Sequence, residues 1–373
     1  MFKLFNLNLQ LHAHIGQERY SSLVLAKIRK ELVLKDGVVF NKDYEGQPTA
    51  GAVKIPVRDT EVEVSDYDKA NGIAGTVGAT SYETMTIGKD KAVNEIIDGF
   101  DAASVPDNLV ADRLDSAGYA LAHQIDTDSA TVLIAGSTVV NEATLAFDNI
   151  YDKIVDIRTS MSKANIPNDG KRFLLVTPDT MALVLKADEF IKASDLGDAV
   201  VQMGIVGKIA GFNIIEWNDS TANLAMIAGH PRFATRAEEF SVPVKVQDIS
   251  GSGKYIGASA VQGRYVYDHK VLRQTAIRAV YTPGSLAIAL VQAATTGSTV
   301  ATITGSAGTL KYKLNPSTRA TYDLATATYG GTALTSGTTQ IAVTAGDILE
   351  VVDIVDSKVA KVGYIVVLAA AIK

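Results

Sequence analysis

The 373-residue sequence predicts an α+β fold followed by a separate all-β unit, and three observations carry that prediction. Ser104–Ala135 reads as one unusually long amphipathic helix, and residues 142–237 alternate helical and strand periodicities. After Pro283 the chain changes character. The last 90 residues hold 6 of the 35 Lys+Arg and 5 of the 41 Asp+Glu, and short alternating runs separated by Gly, Ser and Asn take over.

Residues 1–36 read as an arm. Phe5, Leu7, Leu9 and Leu11 alternate as in a strand, and from Glu18 the pattern turns helical. Lys27, Arg29 and Lys30 fit a solvated helix face, with contact to a neighbouring subunit as the functional alternative. Residues 37–88 lack the apolar content for a core of their own. Ala52–Arg58 and Tyr82–Ile87 predict a long hairpin whose first strand carries Pro56, a residue suited to an edge because it removes a ladder donor. Between them Gly, Asp and Asn favour turns, Asn71-Gly72 most strongly. A hairpin of this kind needs cover, and another copy of the chain is the natural source.

The long helix takes Ser104 as its cap, Pro106 in its first turn and Asp107 as a capping-box acid. Val110, Leu114, Ala117, Leu121 and Ile125 form its apolar stripe, and Gly118 is its weakest point. Phe147, Ile150, Ile154, Ile157 and Met161 then keep helical spacing up to the Asn165–Gly170 stop. Phe173–Val176 reads as a buried strand, Thr177-Pro178-Asp179 opens a helix running to Lys186, and Ile191–Met203 suggests one more. Gly207–Ile215 bends into a strand, Leu224–Ala228 supplies another, and Ser241–Ile249 follows. Gly263–Tyr281 alternates apolar and charged residues as in a half-exposed strand pair. In the last segment Thr299–Ile303, Leu310–Leu314, Gln340–Val343, Ile348–Val355 and Lys358–Val367 predict a small β-sandwich.

Composition narrows function. With no cysteine there are no disulfides, thiolate nucleophiles or cysteine metal sites. A net charge of -6 and a pI near 5.5 argue against a chain that coats nucleic acid by neutralising phosphates. The N-terminus lacks the apolar block of a secretory signal, and the longest apolar run, Tyr364–Ile372, is about half the ~20 residues of a membrane-spanning helix.

No motif carries catalysis or a cofactor. Gly204–Ile209 lacks the spacing of a phosphate loop, and Ile209 offers magnesium no hydroxyl, so it reads as a turn before a strand. Asp115, Asp126 and Asp128 lack a calcium loop's glycine and closing glutamate and read as a polar stretch of the long helix. His12, His14, His123, His230 and His269 show no zinc spacing, and no GxSxG elbow occurs. Asn218-Asp219-Ser220 matches a glycosylation sequon only formally. The expectation is a protein that is not an enzyme and binds no cofactor or metal.

At residue level DNLVADRLDSAGYALAHQID, RFLLVTPDTMALVL, GIVGKIAGFNIIEWND and RYVYDHKVLRQTAIRAVY, in this order behind an arm and an extended hairpin, resemble the tailed-bacteriophage major capsid proteins of the Hong Kong 97-type fold. The resemblance covers the first 283 residues. It implies an N-terminal arm (1–36), an extended loop (37–88), a peripheral domain with the spine helix (89–141 and 238–283) and an axial domain (142–237). The terminal segment (284–373) resembles the immunoglobulin-like domains some of these proteins carry. The implied function is a coat protein that assembles as hexamers and pentamers of an icosahedral head around double-stranded DNA, with a separate scaffold protein and a portal, and no membrane. The virion is its place, and the host cytoplasm its site of assembly. Lys54 and Lys69 lie in the loop where the type member forms an isopeptide cross-link, but no residue pattern fixes the acceptor.

Subunit-contact candidates follow from that reading: Lys54, Arg58, Asp59 and Lys69 on the loop, Asp112, Arg113 and Asp115 on the outer face of the spine, and Arg232, Arg236, Glu238 and Glu239. Exposed ion pairs add only about 0 to 1 kcal/mol to stability, whereas across a repeated contact they set register. Solvated surface is the competing reading for the last four. Three other functions compete. An encapsulin-like shell sits badly with the terminal sandwich, a cell-surface adhesin with the absent signal, and a nucleotide-dependent enzyme with Ile209.

Overall fold

The computed structural model describes residues 34, 36–44, 51–58, 64, 66–73, 80–104, 109–187 and 207–373. The expected arm with His12 and His14, the Pro106 and Asp107 cap, Asp59, the helix over 191–203 and Gly204 lie outside the described residues. The chain divides into two compact units, Met1–Glu31 with Lys89–Ile125 and Phe240–Val266, and Leu32–Gly88 with Asp126–Glu239 and Tyr267–Lys373.

In the first unit β3 (Lys89–Ile97) is followed by the short helix α1 (Gly99–Ser104) and by α2 (Leu109–Ala135), of which the part to Ile125 belongs here. α2 is the long spine helix, 27 residues or about 40 Å. Ser104 ends α1 and does not open α2. β3 joins a three-stranded sheet, in the order β3-β10-β9, with β9 (Ala234–Asp248) and β10 (Ser259–Val271). Ile97, Ala117 and Val261 form a small core there, with Val110, Leu114 and Val244 packed against it, so the expected stripe of α2 does face a sheet.

The second unit begins with the predicted hairpin. β1 (Ala52–Arg58) pairs antiparallel with β2 (Thr80–Thr86), Ile55 opposite Glu83 and Pro56 opposite Tyr82. Period-two alternation gives it two unlike faces. Ile55 and Met85 are buried, whereas Lys54, Pro56 and Tyr82 are exposed. One face is therefore covered within the chain, by contacts that include Lys270, whose Nζ reaches the Thr84 carbonyl at 3.0 Å and Glu83 at 2.9 Å.

A six-stranded mixed sheet follows, in the order β4-β11-β8-β5-β7-β6. Its strands are β4 (Thr138–Asn141), β5 (Phe173–Val176), β6 (Lys208–Ile209), β7 (Phe212–Glu216), β8 (Leu224–Gly229) and β11 (Arg278–Tyr281). β5 is the continuous apolar run FLLV because both its faces are covered. Leu174 and Val176 join Ile150, Ile154, Ile157 and Met161 of α3 (Ile150–Lys163) and Met181 and Val184 of α4 (Pro178–Lys186). Phe173 and Leu175 join Ala130 and Leu133 of α2 with Leu34, Val39 and Phe40. Thr177 caps α4 and Pro178 occupies its first turn, as the sequence predicts.

Two local expectations are corrected. Phe147 is 52% exposed and precedes α3, because the Asn149 side chain bonds backward to the Ala146 amide (2.9 Å) and the Thr144 carbonyl (3.4 Å), which draws the chain off the helical path. Gly263–Tyr281 is not a half-exposed pair. β10 and β11 belong to different sheets, separated by a 3-10 turn at Gln274–Ala276, and β11 is flanked by β4 and β8, which buries Ala279 and Val280.

The C-terminal segment forms two facing sheets, as predicted. One has the order β12-β19-β18-β15-β16, built from Gly284–Ser285, Lys358–Val366, Ile348–Val355, Thr309–Leu314 and Thr332–Leu334. The other, β13-β14-β17, is built from Ala287–Gln292, Ser298–Thr304 and Gln340–Ala342. Ala301, Ile303, Ile341, Leu349 and Val351 fill the space between. Segment 320–329 covers the opposite face of the larger sheet, over Val352, Val359 and Val362. This module is fixed to the mixed lobe: Tyr322 stacks on Tyr281 with ring centroids 5.7 Å apart, and its amide donates to the Glu142 carbonyl at 3.1 Å.

Candidate subunit contacts and the buried hub behind them

Arg236 was expected at an exposed contact, and the structure buries it. At 4% exposure, it stands on β9 at the centre of a polar hub. Its Nε donates to His269 Nε2 at 2.8 Å, Nη1 to Asp36 Oδ1 at 2.7 Å, and Nη2 to the Leu34 carbonyl at 3.0 Å and Ser129 Oγ at 2.9 Å. An arginine only donates, so His269 Nε2 is the acceptor and that nitrogen carries no proton. Ser129 Oγ lies 2.9 Å from the same nitrogen, the Arg236 guanidinium stands 5.1 Å from the Phe40 ring centre, and Tyr267 donates to Asp128 at 2.9 Å. The Leu34 amide donates to buried Asp126 at 3.0 Å. Four stretches far apart in sequence thus meet: 34–41, the second half of α2, β9 and β10.

The sequence reading missed this hub. Asp126 and Asp128 read in sequence as a polar stretch of the long helix, yet Asp126 and Ser129 lie at helical spacing with Ala130 and Leu133, on the face that is buried. That spacing was the available signal. Burying a charge at this depth requires partners, and Arg236 has them on every donor nitrogen.

Glu238, two residues on, faces Lys42 Nζ at 3.7 Å, and Lys42 also reaches Asp36 at 3.2 Å. Glu239 accepts the Gly51 amide at 3.1 Å, tying β9 to the entry of the hairpin. Arg232 is exposed. Lys54 is exposed on the outer hairpin face, and Arg58 ends β1 with its backbone opposite Thr80. Lys69 is exposed in a self-contained turn, where Asp68 accepts from the Ala70 amide (2.8 Å) and the Asn71 side chain (2.7 Å) and Gly72 takes a φ of 71°. On α2, Arg113 reaches Glu95 of β3 at 3.4 Å, Asp112 is half-buried and Asp115 is exposed. The structure therefore gathers Arg236, Glu238 and Glu239 along one strand.

Beside the hub lies a cleft of about 430 Å³ lined by Asn41, Lys42, Asp43, Asp169, Lys171, His230 and Arg232. Asn41 is fixed there: its amide donates to the Ala234 carbonyl, its carbonyl accepts from the Arg236 amide, and its side chain donates to the Pro231 and Arg232 carbonyls. His230 is buried, accepts the Arg232 amide at Nδ1 and faces Asp169 through Nε2 at 3.0 Å. That bond, with the Lys171 amide, holds the Asp169 carboxyl below its ordinary range. Among the described residues no three His, Asp or Glu side chains are grouped to hold a metal, and no helix is long and apolar enough to cross a membrane.

A hairpin ahead of a 27-residue helix, a mixed sheet buried on both faces and strands returning to it define the Hong Kong 97-type shell fold. The fold is similar to that of a Mycobacterium phage Che8 structure, at 22% identity over 65% of this chain and 88% of that one, with a TM-score of 0.55. It is likewise similar to the capsid structure of the cyanophage P-SCSP1u (13% identity, 68% and 89% covered, TM-score 0.57). The asymmetric unit of the bacteriophage PhiM1 mature capsid is a third (14%, 68% and 87%, 0.53). No curated protein sequence matches the chain. Residues 79–280, more than half of the chain, match the family described as phage capsid protein, and the chain belongs to that family.

Proposed function

We propose that the chain is the major subunit of a tailed-phage head, assembling as hexamers and pentamers into an icosahedral shell around double-stranded DNA. The observation that carries this reading is the hairpin. Its outer face presents Lys54, Pro56 and Tyr82 (63% exposed), and the segment it leads into exposes Val64 (94%) and Tyr67 (71%). Apolar side chains left outward on an extended loop are the surface a neighbouring copy covers. In this reading residues 37–88 lie over a neighbour, residues 1–36 reach another, and residues 142–237 meet at the symmetry centres. The peripheral residues 89–141 and 238–283 join them. The terminal sandwich, an immunoglobulin-like module, faces outward. A separate scaffold protein and a portal assist assembly in the host cytoplasm, and the subunit performs no catalysis. An acidic chain holds DNA without sequence-specific contacts.

Deleting Glu61–Thr80 tests the loop's part. The expected product is a folded monomer that assembles poorly, and normal particles from this deletion would refute the role.

A further inference from the structure

We infer that the C-terminal sandwich is a brace of the mixed lobe. It grips the six-stranded sheet on both flanks of β11 and holds the turn from β4 into α3, so that lobe and sandwich open as one cooperative unit.

The connection between them leaves no slack. β11 ends at Tyr281 and β12 begins at Gly284, so Thr282 and Pro283 alone separate a strand of the lobe from a strand of the sandwich. Both are held. The Thr282 amide donates to the Asn223 carbonyl at 2.9 Å, and the ring of Pro283 fixes its φ. Gly284 is then wedged between the two modules: a Cβ there would stand 3.1 Å from Cγ of Lys361, on β19, and 3.3 Å from Oδ1 of Asn223, at the approach to β8. Mobile appendages are joined differently, by exposed flexible segments that few contacts cross.

A second grip lies on the other flank of β11. Segment 320–329 is locked to its own sheet, where the Ala320 amide donates to buried Glu350 at 3.0 Å and the Asp323 amide and Leu324 carbonyl pair with Val359 at 2.9 Å. From this segment Tyr322 reaches the lobe, with its ring stacked on Tyr281 and its amide on the Glu142 carbonyl. Glu142 follows directly on β4. Its own amide donates to the Tyr281 carbonyl at 2.9 Å, and its carboxylate meets Lys153 of α3 at 2.8 Å. One residue therefore ties β11, α3 and the sandwich together. Asn223 and Glu142 adjoin β8 and β4, the two neighbours of β11, which sets the grips about 10 Å apart, two strand spacings. A module held at two such points does not pivot about its linker.

The lobe gains from the grip. β4 is four residues long and stands at the edge of the six-stranded sheet, paired with β11. Strand ends of this kind fray first, and Tyr322 fastens the residue where β4 would fray.

Hydrogen exchange of the full-length chain, followed amide by amide in rising urea, tests the brace. In the wild type the amides of Glu142 and Ile150, in the lobe, and of Leu286, in the sandwich, should lose protection in the same opening. Tyr322→Ala should accelerate Glu142 and Ile150 about fivefold, the worth of one stacked aromatic pair, and leave Leu175 in the buried centre of the sheet unchanged. Gly284→Val, which forces Lys361 and Asn223 apart at the other grip, should accelerate the same two amides, whereas Tyr322→Phe, which keeps the stack, should not. Leu286 opening separately from Glu142 and Ile150 in the wild type, or acceleration below about twofold in both Tyr322→Ala and Gly284→Val, would overturn the inference. Should either variant fail to fold, the wild-type comparison decides alone.

Discussion

Replacing Arg236 by Met should loosen the root of the hairpin. The side chain is 4% exposed and donates to four acceptors within 2.7 to 3.0 Å. Methionine fills the volume but leaves the Leu34 carbonyl, Ser129 Oγ and His269 Nε2 without their donor and Asp36 without its cation. Breaking a buried ion pair costs about 3 to 5 kcal/mol, and because Asp36 is 30% exposed water can solvate it, so the low end, about 3 kcal/mol, applies. The Asn41 amide, on the Ala234 carbonyl, and the Arg236 amide, on the Asn41 carbonyl, report opening of this junction. Their hydrogen exchange should accelerate about a hundredfold, since each 1.4 kcal/mol is a factor of ten. Arg236→Lys, which keeps the charge but not the fork, should fall between. Acceleration below about threefold in the Met variant would refute the view that the hub holds segment 34–41.

Two further perturbations probe other parts of the chain. Gly229→Ala drives a methyl into the ring of fully buried Phe173, so it should cost about 1 to 3 kcal/mol in denaturant unfolding, and Phe173→Leu in the same chain should recover part of the loss; additive losses would contradict the assigned clash. In the sandwich, burial, and then the carboxylate of buried Glu350, push the phenols of Tyr329 and Tyr364 well above their ordinary range. A raised pKa means stability that is fully present below the unfolded tyrosine value of about 10 and lost as pH rises beyond it. Alkaline absorbance titration should give wild type and Y329F/Y364F the same phenolate signal until the sandwich unfolds, and an early difference of two phenols would contradict the burial.

The fold was legible where local chemistry decides it. Thr177-Pro178 marks the start of α4 because cap and fixed φ act within one turn, and FLLV marks β5 because a strand covered on both faces has no polar positions to alternate. Phe147 misled because its spacing fits α3 while the Asn149 turn, a side-chain effect invisible to periodicity, moves it out. The burial of Arg236 at the hub's centre was illegible for another reason. Arg236 and Asp36 stand 200 residues apart, and nothing local separates a buried arginine with four acceptors from a solvated one. Glu238 and Glu239 look alike in sequence, yet one faces Lys42 and the other the Gly51 amide, because successive strand residues point to opposite sides.

Electron microscopy of the purified full-length chain, with and without a co-expressed scaffold, addresses the central claim most directly. The account predicts closed icosahedral shells, with the Ala52–Thr86 hairpin of each subunit lying on a neighbour. Monomers under both conditions, with neither shells nor tubes, would contradict it.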